Sequence, residues 1–241
     1  KMKKLKILVI EDKEIHQDSA RETLKGHDVT IASSFDQGMK MMKEKIDQAK
    51  VKRLLSEAGF TADPDSLEEE EWSAHMKATH QAVSESVLPL EFDVVLTDMM
   101  MRMSRETLMP DAYNWKEQVP YGFVLALRAS MQGAKFVAMV TDTNHHKGAM
   151  SAAIDHLGDA YYEEGFKPNF EINGAKVSFL HTPFVDEELP KIICSRCDGS
   201  GVREDSKCWS CSGTGKAPDY DQKRKDWGQV LKDLIQEDEE E

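Results

Sequence analysis

Leu5, Ile7, Leu8, Val9 and Ile10 form an apolar run, rich in β-branched side chains, that stops at Glu11 and Asp12. This pattern predicts a strand buried on both faces, the first of a parallel sheet. Over 14–25, Ile15, Ala20 and Leu24 fall close to one helical face and Gly26 follows as a stop signal, so a helix returns the chain. Residues 27–32 predict a second strand, and Ser33 and Ser34 supply a cap for a helix that contains Met39 and Met42. The order β-α-β-α is that of a doubly wound sheet.

The stretch 43–90 breaks this order, because it carries helix formers and charges with no strand pattern. Ile46, Ala49, Arg53 and Leu54 line one predicted helix, and Trp72, Met76, Thr79 and Val83 recur at helical spacing in a second, with Gly59 and Pro64 marking the turn. The pair reads as a helical hairpin inserted on the sheet, its stripes serving core packing. Residues 92–97 predict the third strand, ending at Asp98, and a Met-rich connection with Pro110 and Pro120 leads to a helix over 121–131. There Phe123, Leu125, Leu127 and Met131 suit burial. Residues 136–141 predict the fourth strand, 147–157 a helix, 159–174 a hairpin and 176–180 the fifth strand. At 221–236, Trp227, Val230, Leu231, Leu234 and Ile235 recur at helical spacing, which predicts a final amphipathic helix lying back on the sheet. The expected fold is therefore α/β, a doubly wound five-stranded parallel sheet. Its domain spans 4–189 plus 219–237, with the 43–90 helical insertion, and a separate module at 190–218 interrupts it.

Charge and composition narrow the function classes. Lys and Arg total 31 against 44 Asp and Glu, a formal charge of −13, which disfavours a nucleic-acid binder because phosphate recognition needs a basic surface. The acidic runs at 68–71 and 237–241 read as a solvated helix face and a tail. No run approaches the roughly 18 apolar residues of a membrane span, and 7–10 is too short for a secretory signal core. The expectation is a soluble, cytoplasmic protein with no membrane contact.

All four cysteines lie between 194 and 211, and in a chain without an export signal this favours metal over disulfides. Cys194 and Cys197, and Cys208 and Cys211, form two Cys-x-x-Cys pairs, enough for one closed tetrahedral zinc site. Each pair is followed by the same glycine spacing, Gly199 and Gly201 in one, Gly213 and Gly215 in the other. Glycine allows positive φ and lets backbone N–H groups approach the sulfurs. The doubled Cys-x-x-Cys-x-Gly-x-Gly is similar to the zinc repeats of DnaJ-type chaperones over 194–215. Those chaperones carry four repeats and a J domain, so the resemblance implies one structural zinc and no chaperone activity. A redox role for a Cys-x-x-Cys pair is the weaker alternative. Trp209, between the second pair, packs under the module or faces a partner.

Residues just past the carboxyl ends of neighbouring parallel strands converge on one crevice. Glu11, Asp12 and Asp98 occupy such ends, and an oxygen-rich cluster suits magnesium. Thr141 ends strand four on the same edge, where a hydroxyl can bond a phosphoryl oxygen. Residues 6–12, 92–98 and 138–141, with 121–128 as a third helix, resemble the receiver domains of two-component response regulators. The resemblance implies a flavodoxin-like sheet on which Glu11, Asp12 and Asp98 hold magnesium. It also implies that Asp98 accepts a phosphoryl group from a histidine kinase and that Thr141 is the switch hydroxyl.

Two departures count against phosphotransfer. The family carries a lysine before proline at the end of strand five, and Thr182-Pro183 stands there, so the charge partner is missing; Lys167-Pro168 is the alternative alignment, after a poorer strand. The residue after the switch hydroxyl is normally small, whereas Asp142 adds a carboxylate that hinders phosphorylation and attracts cations. His145 and His146 near the same edge read as a solvated pair. The leading expectation is a signalling or adaptor protein that contacts another protein through its insertions. The alternative is a pseudo-receiver scaffold with no phosphotransfer, which both departures favour. An Asp-dependent phosphohydrolase is disfavoured by Met100 in place of a second aspartate.

Overall fold

The computed structural model describes residues 3–61, 68–106, 108–114, 116–143, 148–154, 156 and 170–235. In chain order the elements begin with β1 (Lys6–Ile10), α1 (Glu14–Thr23), β2 (Asp28–Ala32), α2 (Phe35–Met41), α3 (Gln48–Glu57), α4 (Glu69–Glu85) and β3 (Val94–Asp98). A two-stranded ribbon of β4 (Met101–Arg102) and β5 (Gln118–Val119) precedes α5 (Tyr121–Met131), β6 (Phe136–Thr141) and α6 (Ala149–Ile154). Then come β7 (Phe170–Ile172), β8 (Ala175–His181), β9 (Lys191–Ile193), β10 (Val202–Arg203), β11 (Ser206–Lys207), β12 (Lys216–Pro218) and α7 (Trp227–Ile235).

The main sheet has the order β2-β1-β3-β6-β8-β7. Strands β2, β1, β3, β6 and β8 run parallel, and β7 pairs antiparallel with β8. Among the described residues the five parallel strands are joined by a sixth, antiparallel edge strand, so the sheet is mixed rather than the expected five-stranded parallel one. The extra strand forms because Asn173 and Gly174, with φ of 52° and 80°, make the tight turn that Asn-Gly favours between two strands. The hairpin therefore spans 170–181; most of the 159–174 segment expected to form it lies outside the described residues, as do Lys167, His145, His146 and the tail from 237.

Because β1, β3 and β6 are covered on both faces, their side chains alternate between two cores. Leu8, Ile10, Val95, Val137 and Met139 point toward α2, α5 and α6, and Ile7, Val9, Val94, Leu96 and Val140 toward α1 and α7. This two-sided burial explains why these strands read as unbroken apolar runs. In α5 the buried positions are Gly122, Leu125, Ala126, Ala129 and Ser130, so Leu127 and Met131, expected inside, are 46% and 67% exposed. Small residues set the phase of this helix, because it approaches β3 closely: a Cβ on Gly122 would stand 2.3 Å from the Asp98 carbonyl oxygen.

Helices α3 and α4 pack on each other as a hairpin, their registers differing from expectation. Val51 is buried in α3, and His75 and Ala82 in α4, while Ala49, Arg53 and Trp72 are exposed. Phe60 meets His75 edge to face, which gives that buried imidazole an aromatic neighbour. The final helix begins at Trp227, six residues later than expected. Residues 224–226 are not helical because they pair with 183–185: Val185 N–H donates to the Arg224 carbonyl and Asp226 N–H to that of Pro183. Among the described residues no helix is long and apolar enough to cross a membrane.

Candidate functional site

The strand order reverses between β1 and β3, where crossovers diverge and leave a crevice at the strands' carboxyl ends. Ile10 is in register with Thr97, so Glu11 and Asp98 follow side by side, with Asp12 next. One carboxylate oxygen from each of Glu11, Asp12 and Asp98 lies within 4.8 Å of the others. Glu11 and Asp98 are buried, and the Asp12 side chain is almost so.

The countercharge is Lys225. Its Nζ lies 2.7 Å from Glu11 Oε2 and 2.7 Å from Asp98 Oδ1, with 0% of the residue exposed. This overturns the expectation that no charge partner exists. Thr182 is instead a strand-end residue whose N–H donates to the Thr141 carbonyl and whose hydroxyl donates to that of Pro183. The lysine arrives from beyond the entire cysteine segment, just before α7. Its N–H donates to His16 Nδ1 at 3.4 Å, and its carbonyl accepts from Ser19 Oγ at 2.6 Å.

One ammonium does not neutralise two buried carboxylates. Burial pushes Asp98 up to about 7, with Lys225 opposing and the charges of Glu11 and Asp142 adding to the rise. Glu11 is likewise raised by burial against the pull of Lys225. Burial alone would lower Lys225, but the charges of Asp98, Glu11 and Asp142 outweigh it and keep the ammonium protonated.

Asp142 is less free than expected. Lys13 Nζ at 2.5 Å and His16 Nε2 at 3.2 Å both contact its Oδ2. Burial would raise its pKa, but these partners, with Lys225, hold it below the usual carboxylate range. Since His16 Nδ1 accepts from Lys225 N–H, Nε2 carries the proton given to Asp142. Burial keeps this imidazole neutral at lower pH than an ordinary histidine.

Thr141 is buried at the end of β6, one position past Val140, which is in register with Asp98. Its Oγ1 accepts from Thr143 N–H at 3.1 Å, leaving the hydroxyl hydrogen to donate elsewhere. Of the three acids only Asp12 lines a cleft, of about 280 Å³, together with Ser33, Ser34, Arg102, Arg105 and Tyr113, among others. Arg102 Nε stands 4.0 Å from Asp12 Oδ2, while Asp12 Oδ1 is buried without a hydrogen-bond partner among the described residues. An orphaned carboxylate oxygen amid excess negative charge fits a hard divalent cation, so the acidic triad can hold Mg²⁺.

The cysteines form the second cluster, with all four sulfurs within 4.8 Å of one another. Cys194 and Cys208 sulfurs are 4.0 Å apart, and those of Cys197 and Cys211 3.7 Å. Zn–S bonds of about 2.3 Å in a tetrahedron require sulfur separations of about 3.8 Å, so the cage has the dimensions of a zinc site. Gly201 N–H donates to Cys197 Sγ at 3.3 Å, as the glycine spacing anticipated. The two knuckles touch back to back: a Cβ on Gly201 or Gly215 would collide with the carbonyl of Gly213 or Gly199. Trp209 is 72% exposed and lies beneath the Arg196 guanidinium, 4.2 Å from its ring centroid, so it does not pack under the module.

Lys225 is the central site residue that sequence reasoning missed, and Lys13, His16 and Arg102 were missed with it. Its available signal was a lysine beside the start of a strongly amphipathic helix; the misleading one was the resemblance to receivers, which place such a lysine before a proline. No family model, curated protein or solved structure matches this chain.

Proposed function

We propose that the chain is a signalling protein whose receiver-like domain binds Mg²⁺ through Glu11, Asp12 and Asp98 and accepts a phosphoryl group on Asp98. The observation carrying this reading is Lys225, whose ammonium bridges Glu11 and Asp98 at 2.7 Å each. A buried ammonium at the acceptor carboxylate can follow the charge when it moves from the carboxylate to a phosphoryl oxygen. The proposed donor is a phosphohistidine on a kinase, approaching along the cleft lined by Asp12 and Arg102.

In that reaction an Asp98 carboxylate oxygen attacks phosphorus, the P–N bond breaks, and its electron pair stays on the imidazole, which takes up a proton. Bound magnesium would neutralise charge on the phosphoryl oxygens. Arg102 offers a guanidinium to the incoming anion. Thr141 donates its hydroxyl to the transferred group, and Lys225 exchanges its bond to Asp98 for one to a phosphoryl oxygen. The inserted helices and the zinc-binding cysteine module serve contacts with a protein partner. Neither contributes a side chain to the reacting groups.

A scaffold without phosphotransfer is the second reading, favoured by the near-complete burial of Asp98, 1% exposed, against Lys225. Incubation with acetyl phosphate and Mg²⁺ followed by intact mass measurement separates the two. A single phosphoryl adduct that requires Mg²⁺ and disappears in Asp98→Asn is expected. No adduct, with no Mg²⁺ dependence, supports the scaffold, and continuous phosphate release supports a phosphohydrolase.

A further inference from the structure

The cysteine segment hangs from the sheet on two antiparallel legs, and Lys225 is part of one of them. Cys194 N–H donates to the Gly215 carbonyl at the metal end, and β9 pairs with β12 along the next stretch. Asp219 N–H then donates to Pro190, Arg224 holds both oxygens of Glu187 at 2.7 Å, and Phe184 bridges Lys225. A near-continuous ladder therefore runs from the four sulfurs down to the ammonium in the acidic pocket.

The module has little else to keep it ordered. Its buried cluster consists of the four cysteines, with Ala217 packed against them. Ile192, Ile193, Val202 and Trp209 are exposed. Four buried thiols without a metal cannot replace an apolar core, so metal binding and ordering of the segment are one equilibrium. Closing a long unstructured loop carries an entropic cost that the ordered module removes. The other restraints on the outgoing leg are the pairing of 183–185 with 224–226, the buried Trp227 at the start of α7, the bonds from His16 and Ser19, and surface ion pairs of Arg224 with Glu22 and Glu187, which contribute little alone.

We propose that the cysteine module is a positioning device for Lys225, so that zinc loading at Cys194, Cys197, Cys208 and Cys211 governs whether the ammonium occupies the pocket of Glu11 and Asp98. Lys225 is the shared element between the two clusters. Seated, it takes one oxygen from each acid and repels a second cation; unseated, it leaves both to a divalent ion. The effect on Mg²⁺ rests on the reading of that pocket as a cation site, whereas the seating of Lys225 does not. Coupling of this kind is reciprocal, so filling the pocket weakens zinc retention.

The test strips zinc from the full chain with a zinc-selective chelator, removes the chelator, and labels lysines by reductive methylation before peptide mass analysis. Lys225 is unreactive in the zinc-loaded chain, and its labelling rises at least about tenfold when zinc is removed, within the usual range of coupling between sites. Mg²⁺ affinity by calorimetry rises by a similar factor, and does not change on stripping in a Lys225→Met chain. Unchanged labelling overturns the proposal, as does a chain that takes up no zinc. An equal rise in Mg²⁺ affinity on stripping Lys225→Met also overturns it, because the change then bypasses the ammonium. Labelling that responds to zinc while Mg²⁺ fails to bind either form supports the positioning of Lys225 and sinks the cation reading alone.

Discussion

Replacing Lys225 by methionine keeps a chain of similar length and removes only the ammonium. The variant leaves Glu11 and Asp98, both buried, facing one another without a cation. Breaking a buried pair by deleting one partner costs about 3–5 kcal/mol when the survivor must stay charged. Here the survivors have an escape, because Asp98 already titrates at about 7, well above an unfolded aspartate. A folded carboxyl with a raised pKa binds more protons than the unfolded chain, so its stabilisation is present at low pH and is lost as pH rises through the folded value. Removing Lys225 raises that value further. At pH 8 the loss is expected at about 3–5 kcal/mol. At pH 5 a proton held by Asp98 reduces it to about 1–2 kcal/mol, the cost of one imperfect buried hydrogen bond. Urea unfolding at the two pH values, read by tryptophan fluorescence, to which the buried Trp227 contributes, measures both, and 10 mM Mg²⁺ should restore part of the loss at pH 8 by binding the folded state. A loss below about 1 kcal/mol at pH 8, or the same loss at both pH values, would show that Lys225 is not the countercharge of this pocket.

Metal analysis of the purified chain should find about one zinc per molecule, with Cys208→Ser losing it and exposing the remaining thiols to alkylation. Mg²⁺ affinity should fall as pH drops from 8 to 6, because Asp98, raised to about 7, must lose its proton to bind a cation; a flat profile would place the ion elsewhere. Gly122→Ala should destabilise by about 1–3 kcal/mol, since its Cβ would meet the Asp98 carbonyl at 2.3 Å and Met99 Cα at 2.6 Å, and should also weaken Mg²⁺ binding by shifting the end of β3. In thermal melts, Met131→Lys on the exposed face of α5 should change stability by less than about 0.5 kcal/mol, while Leu125→Ala costs about 2–5 kcal/mol.

The central strands were legible because two-sided burial writes an uninterrupted apolar run, and β1, β3 and β6 lie within two residues of the segments expected for them. Amphipathic helices were legible as elements but less so in phase. In α5 the small residues Gly122, Ala126 and Ala129 face the sheet because close approach needs little volume, and the larger Leu127 and Met131 are left outside. The pairing of β7 with the fifth parallel strand was not anticipated, because the hairpin was expected within 159–174 and a three-residue strand has no period to read, although Asn173 and Gly174 mark its turn.

The acids of the pocket could be named from sequence because strand ends converge by topology alone, and the cysteines because their spacing repeats. Lys225 could not be. Nothing local distinguishes it from Lys223 or Arg224, and only the antiparallel pairing of 183–185 with 224–226 turns it inward. The linear order of residues thus determined which segments are buried and which side chains have the chemistry to bind a cation or zinc. The tertiary structure decided which charge faces which, because the partner of Glu11 and Asp98 is brought back by a long excursion whose ends meet only in the folded chain.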